Sequence, residues 1–457
     1  MSGSFGLPSL RDMHPDCFNP CNIASMSRSY RRREAVFLVI LSCFAGSALR
    51  AAPPGAPSRD RLVMTVILSR HGLRSPLVPL AQLDRYAVLP WPVWPVAPGA
   101  LTRRGFSQLT AMGSFDHALL AREGMFVGKG CAAARSAYIW TDTDQRTIAS
   151  GHALAEGLFT GCPVAVHQLP QGSADPLFHP DQHHVPADIE TAALIQVRAC
   201  AKPDPQWEAL IDRLQILLLD CVPGRSCHPA NMPPVSVKSA PLEVRPSTQD
   251  DVIHYGGSLP LASSFAEDFE LEYMQGLPMQ SVAWGHLSLA ALQRLIALHT
   301  HYIACLNETP ALAHLGASDL LAHIVATLRQ AVEQHPDPAA IAPLERQLVL
   351  LDGHDSNLVG VAALLGLHWR LDSRADDTPP ASQIMFQVWK SPQGHAFVRV
   401  NVQMPTLVQM RTLAPLSLTQ PPAQQRLVVR GCFGRHDCAW ATFQTAASRA
   451  VDPRFVR

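Results

Sequence analysis

The sequence predicts an α/β protein, a sheet flanked by helices and interrupted by a second, mostly helical domain. Three observations support this. Apolar runs at residues 61–69, 137–141 and 348–351 each end in a polar loop that leads into helical patterning. Between about 170 and 290 the strand signal fades, and Pro-rich loops alternate with helical stretches. The chain has 457 residues and is 47% hydrophobic, enough for one large core or two linked ones.

The leading segment is not part of that fold. Tyr30-Arg31-Arg32-Arg33 precedes the short apolar run Ala35 to Gly46, and small residues follow from Ala48 to Ala52. That order is the pattern of a secretory leader, and the run is too short for a membrane-spanning helix. Met26 is an alternative start. Twin-arginine export through Arg32-Arg33 and lipid attachment at Cys43 are weaker matches than ordinary export. The expected layout is a leader over residues 1–52, an α/β domain over 60–165 and 285–457, and a helical insertion over 166–284.

Runs without alternation suit strands buried on both faces, as in a parallel sheet. Arg61 to Ser69 is the first. Thr102 is a suitable N-cap for an amphipathic helix reaching about Arg122. Ala137 to Thr141 is the second strand, with a helix from Asp142 to Gly157 after it. Leu348 to Leu351 is the third, leading to a helix over Asn357 to Leu365. Gln383 to Trp389 and Phe397 to Gln403 flank a Ser-Pro-Gln-Gly turn and predict a hairpin.

Composition narrows the function. Lys+Arg 37 balance Asp+Glu 37, so there is no broad basic surface and nucleic acid is not an expected partner. Phosphate binding would need a few locally placed cations. The 39 Pro and 27 Gly follow no period, which excludes collagen-like and solenoid folds. In an exported chain, the close pairs Cys221/Cys227 and Cys432/Cys438 are candidate bridges, with metal binding the weaker alternative.

Ligands of open α/β sheets bind beyond the carboxyl ends of strands, and three polar clusters lie there. Arg70-His71-Gly72-Leu73-Arg74-Ser75-Pro76 places an imidazole between two guanidinium groups, a site for a tetrahedral dianion with His71 as nucleophile. It is expected on a surface loop. Thr141-Asp142-Thr143-Asp144-Gln145-Arg146-Thr147 has Asp144 placed to cap a helix and Arg146 in its first turn, where anions are also favoured. Asp352-Gly353-His354-Asp355-Ser356-Asn357 supplies a second imidazole and a carboxylic acid for a leaving oxygen. His436-Asp437 is the same dipeptide without a buried strand before it, and carries no such meaning.

The first and third clusters together resemble the histidine acid phosphatases, specifically the bacterial glucose-1-phosphatase and phytase branch. Asp175-Pro176-Leu177-Phe178-His179-Pro180, Gly276 to Met279, Val282 to Gly285 and Thr378-Pro379-Pro380 extend the likeness over most of the mature chain. It implies a histidine-phosphatase-like α/β fold with a helical insertion, and neither metal nor cofactor. By position, His71 would form a phosphohistidine, Arg70, Arg74, Arg146 and His354 would hold the phosphoryl oxygens, and Asp355 would protonate the departing alcohol. Glu267, Leu77, Ser356 and His299 would line the substrate pocket. Cys131 and Cys162 match a family disulfide, as do Cys221/Cys227 and Cys432/Cys438, while Cys200 and Cys305 receive no role.

The same likeness bears on the substrate, a small phosphate ester. Phytate-specialised members continue the first signature with Thr-Lys, where Leu77-Val78 stand here, and a phytase-branch Arg is replaced at Gly316. His299 does match a phytase-branch position. Glucose 1-phosphate is therefore expected before phytate, with phytase as the alternative. Phosphoglycerate-mutase-like enzymes share Arg-His-Gly but place an acidic residue where Leu73-Arg74 stand. A silent binding protein for phosphate esters would not need Asp355 beside His354. The mature protein is expected in the periplasm or outside the cell, without a membrane span.

Overall fold

The computed structural model describes residues 60–126, 130–179, 185–220, 234–247, 252–375 and 377–457. The leader and the Cys221/Cys227 pair lie outside them. In chain order, β1 (Arg61–Arg70) is followed by the one-turn α1 (Leu80–Leu83) and by α2 (Arg103–Arg122). Next come β2 (Ala137–Thr141), α3 (Gln145–Leu158) and the two-residue β3 (Val166–His167). Then follow α4 (Ala187–Cys200), α5 (Pro205–Leu219), the hairpin of β4 (Glu243–Pro246) and β5 (Ile253–Gly256), and α6 (Ser258–Met274). Three more helices are α7 (Leu289–Leu295), α8 (Ala297–Asn307) and α9 (Pro310–Glu333). The chain returns to the sheet with β6 (Leu348–Gly353) and α10 (Asp355–Leu365), then the short pair β7 (Arg370–Leu371) and β8 (Arg374–Ala375). It ends with β9 (Gln383–Lys390), β10 (Ala396–Met404), α11 (Leu407–Thr412), β11 (Ala423–Leu427), β12 (Cys438–Ala439) and α12 (Trp440–Ala450).

The main sheet has the order β11-β10-β9-β1-β6-β2-β3, with β12 paired to β10. It is parallel from β1 through β6 and β2 to β3, and antiparallel from β1 through β9 and β10 to β11. Helices cover both faces, as the continuous apolar runs require. Alternate side chains of β1 point to opposite cores. Ile67 packs with residues of α2 and α3, while Val66 and Leu68 pack with residues of α9, α10 and α12. Each such buried aliphatic side chain contributes about 1.5–3 kcal/mol. α9 is long and apolar enough to cross a bilayer, but 72% of its most apolar stretch is buried in this fold.

Register sets up the functional edge. Ser69 faces Asp352 and Arg70 faces Gly353 across β1 and β6, and Thr141 of β2 faces Asp352 from the other side. All three polar clusters therefore leave the sheet side by side. Thr102 caps α2, its Oγ1 accepting from the Gly105 N–H at 2.9 Å.

Two local expectations change. The segment where the strand signal fades contains the β4–β5 hairpin, whose four-residue strands, one ending in Pro246, give little periodic signal. The helix after β2 starts at Gln145, and Asp144 occupies the N-cap position without a side-chain cap bond. Its carboxylate instead pairs with Arg146 at 2.6 Å, because a guanidinium is a stronger partner than a backbone N–H. Disulfides join Cys131 to Cys162 and Cys432 to Cys438. A third joins Cys200 at the end of α4 to Cys305 in α8, giving both cysteines a partner.

Candidate active site

His71 follows the last residue of β1, and its N–H donates to Gly353 O at 2.9 Å. Its backbone carbonyl accepts from Ala381 N at 3.0 Å. The residue is 3% exposed, so the loop is not at the surface as expected; flanking elements close over it. Nδ1 lies 2.9 Å from Gly72 O, and donating that proton leaves the lone pair on Nε2. Burial, then the charges of Arg70, Arg146, His354 and Arg74, hold the imidazole pKa well below its usual value. A neutral His71 is therefore available as a nucleophile.

Arg70 and Arg74 are bridged by one carboxylate. Glu267 of α6 accepts from Arg70 Nη2 at 2.6 Å through Oε1 and from Arg74 Nη2 at 2.8 Å through Oε2. Burial pushes Glu267 up, but Arg74, His299 and Arg70 outweigh it and bring its pKa down to about 2. Asp355 Oδ2 also lies 2.9 Å from Arg70 Nη2, and His299 Nε2 stands 3.7 Å from Asp355 and 3.8 Å from Glu267. Burial opposes ionisation of Asp355 too, yet Arg70 and His299 hold its carboxyl well below the usual range. His299 is itself pushed up, since Glu267 and Asp355 overcome the effect of its burial.

The second half of the site hangs from Asp142, which is buried at the end of β2. Its Oδ2 accepts from His354 Nε2 at 2.7 Å and from His179 Nε2 at 2.9 Å. Arg146 Nη2 lies 3.4 Å from His354 Nδ1, and the His71 and His354 rings meet edge-on with centroids 5.6 Å apart. Gly353 is needed for close approach. A Cβ there would sit 2.5 Å from Asn357 Oδ1 and 2.6 Å from the Phe178 ring. Asn357 uses that oxygen to accept from His354 N at 2.8 Å and donates through Nδ2 to Phe178 O at 2.9 Å.

His71, Arg70, Arg74, Arg146, His354, Asp355, Glu267 and His299 are thus gathered into one site. Ser356 is half-buried in the first turn of α10, its N–H donating to Asp355 Oδ1 at 2.8 Å. Leu77 is 54% exposed and packs beside Gly99, which also neighbours the Arg146 guanidinium. Sequence reasoning missed Asp142 as the support of His354, and missed His179 beside it. The available signals were the position of Asp142 directly after a buried strand and the place of His179 in the family-like stretch Asp175 to Pro180. Asp142/His179/His354 and Glu267/His299/Asp355 have donor atoms close enough to share a cation. In both groups the carboxylates already face cationic or N–H partners within the protein.

Neutral imidazole and clustered guanidinium groups at a sheet edge suit one kind of substrate, the phosphate monoester, and the chain is a phosphomonoesterase. It belongs to the histidine phosphatase superfamily (branch 2), which matches residues 61–199 and 247–403, and within it to the glucose-1-phosphatase and phytase branch. It is 29% identical to phytase AppA of Escherichia coli over 435 residues, 92% of this chain and 99% of that relative. Glucose-1-phosphatase of Salmonella typhimurium is 27% identical over 393 residues, covering 82% of this chain and 89% of its own. The Hafnia alvei phytase solved with tartrate superposes with a TM-score of 0.76 at 28% identity, covering 88% of this chain and all of its own.

Proposed function

We propose that the enzyme is exported and hydrolyses small phosphomonoesters, glucose 1-phosphate in preference to phytate, through a phosphohistidine at His71. The observation that carries this reading is the His71 ring, held through Nδ1 by Gly72 O at 2.9 Å and set among Arg70, Arg74 and Arg146, whose charges favour its neutral form. Nε2 attacks phosphorus, the bond from phosphorus to the alcohol oxygen breaks, and Asp355 gives that oxygen its proton. Water then attacks phosphorus, giving a proton to Asp355, while the N–P bond breaks to free His71 and release phosphate. Arg70, Arg74 and Arg146 stabilise the charge on the phosphoryl oxygens. Burial and Arg146 hold the His354 imidazole below its usual pKa despite Asp142; an arriving phosphate dianion raises it, and the protonated ring then adds an N–H donor through Nδ1.

The unliganded site holds Asp355 ionised, which a general acid cannot be. An arriving phosphate dianion competes for Arg70 and repels the carboxylate, so substrate binding raises the Asp355 pKa. Protonation of the acid and binding of the ester are therefore coupled, and an acidic optimum follows.

Charge counting supports a substrate with a single phosphate. Among the described residues, three guanidinium groups (Arg70, Arg74, Arg146) pair with three carboxylates (Glu267, Asp355, Asp144), while Asp142 pairs with imidazoles. One dianion can displace Glu267 and Asp355 from the arginines, whereas Leu77 offers no cation to further phosphates. His299 and the phytases among the relatives favour the second reading, phytase. Three disulfides among the described residues support an oxidising compartment. Measuring kcat/KM for glucose 1-phosphate and phytate at acidic pH tests the substrate. We expect the sugar phosphate to lead, and a tenfold preference for phytate would overturn it.

A further inference from the structure

A second cavity, of about 810 Å³, opens between α5, α8 and the β7–β8 turn, and none of the site residues described above lines it. It is large enough for a small organic ligand. One wall is aromatic, where Trp207 and His301 stack with centroids 4.3 Å apart. Its charged lining is three arginines, Arg294, Arg370 and Arg374, to one carboxylate, Glu308. Arg294 and Arg370 are exposed and make no ion pair among the described residues. Arg374 is 4% exposed and already faces three carboxylates, Nη2 lying 3.7 Å from Asp372 Oδ2. Nη1 is taken by Glu270 and by Asp377 at 2.8 Å. Two exposed guanidinium groups without an ion pair among the described residues, beside a ring-stacking wall, define the complementary ligand.

We propose that this cavity binds a ring-bearing organic anion, a carboxylate or phosphate whose ring lies against Trp207 and whose charge faces Arg294 and Arg370. The site is linked to the catalytic centre in two ways. Ala297, Thr300, His301 and Ala304 line the cavity from one face of α8, and His299 leaves the opposite face toward Asp355. Arg374 also holds Asp377, whose neighbour Thr378 accepts from Arg70 Nη1 at 2.5 Å. Occupancy therefore shifts KM.

The probe is 2-naphthoate, titrated calorimetrically into the full chain at near-neutral pH with saturating orthovanadate filling the phosphate site. One equivalent should bind. The neutral 2-naphthamide, and the Arg294→Ala/Arg370→Ala double variant, should each bind at least about tenfold more weakly, since both lose the charge pairing. That variant should keep its kcat. Absence of binding, equal binding by the amide or the double variant, or displacement of naphthoate by vanadate would each overturn the proposal. The link to catalysis is read as a change of at least about twofold in KM for nitrophenyl phosphate at saturating naphthoate, absent in the double variant; an unchanged KM refutes it. Because binding is measured without turnover, it stands or falls separately from the phosphohistidine mechanism.

Discussion

Replacing Asp142 with Asn preserves the shape of the side chain while removing its charge. Asp142 is fully buried and its Oδ2 accepts from His354 at 2.7 Å and His179 at 2.9 Å. An amide oxygen still accepts, but it no longer supports an imidazolium at His354. Hydrogen bonds to charged groups contribute about 1.5–3 kcal/mol. At about 1.4 kcal/mol per tenfold, losing the charged partner lowers kcat/KM by about 10- to 150-fold. The pH profile should move as well. Without the carboxylate, His354 gives up its proton at lower pH, so the alkaline limb of kcat/KM shifts toward acid. Stability follows the same linkage. Asp142 is held below its usual range, so its contribution is present above about pH 4; His179 is pushed up, so its contribution is complete below about pH 6.5 and lost above it. The loss in Asp142→Asn should be greatest between those limits. Steady-state kinetics on nitrophenyl phosphate and thermal melts, both across pH, measure this. A kcat/KM within about threefold of wild type with an unmoved alkaline limb would refute the supporting role.

His71→Ala should lower turnover by at least about four orders of magnitude and abolish acid-labile phosphoenzyme in rapid-quench experiments; retention of a tenth of the activity contradicts the covalent route. Because His71 is buried, its melting temperature must be measured beside wild type. Asp355→Asn should harm glucose 1-phosphate far more than nitrophenyl phosphate, whose leaving group needs little protonation. Equal losses would point to a structural role. Glu267→Gln leaves the buried Arg70 and Arg74 without their shared carboxylate and should destabilise the unliganded protein by about 3–5 kcal/mol. Orthophosphate should then raise the melting temperature more in this variant than in wild type, and an equal rise would show that Glu267 is not the stand-in for the anion.

The chemistry was legible wherever a polar cluster followed a buried strand. Arg61 to Ser69, Ala137 to Thr141 and Leu348 to Leu351 are apolar on both faces, and that pattern marks both the strand and the loop beyond it. Register was not legible, so Asp142 read as one polar loop residue among several, and its hold on His354 appeared only once β2 lay beside β6. Asp116 was hidden for a related reason. It sits on the buried face of α2, where the periodic pattern expects an apolar side chain. Gln383 and Gln403, from opposite strands of the hairpin, donate to its carboxyl at 3.0 and 2.6 Å. Its pKa is pushed up to about 7 by burial, an effect the two amides only partly offset. Partners that far apart in sequence leave no local trace.

The bridge between Cys200 and Cys305 spans 105 residues, and both Cys221 and Cys227 lie between its ends in sequence. A chain delivered N-terminus first into an oxidising compartment presents Cys200 to those nearer thiols before Cys305 arrives. Oxidation in order of appearance would therefore trap a wrong pairing, which must be exchanged by attack of a thiolate on the mixed bridge. Under the export proposed above, maturation is expected to need a disulfide isomerase as well as an oxidase. A peptide map of protein made with the oxidase alone should contain the misplaced Cys200 pairings, and a fully native map would exclude that dependence. The bond that ties α4 to α8 makes the wall carrying His299 the last part of the pocket to be secured.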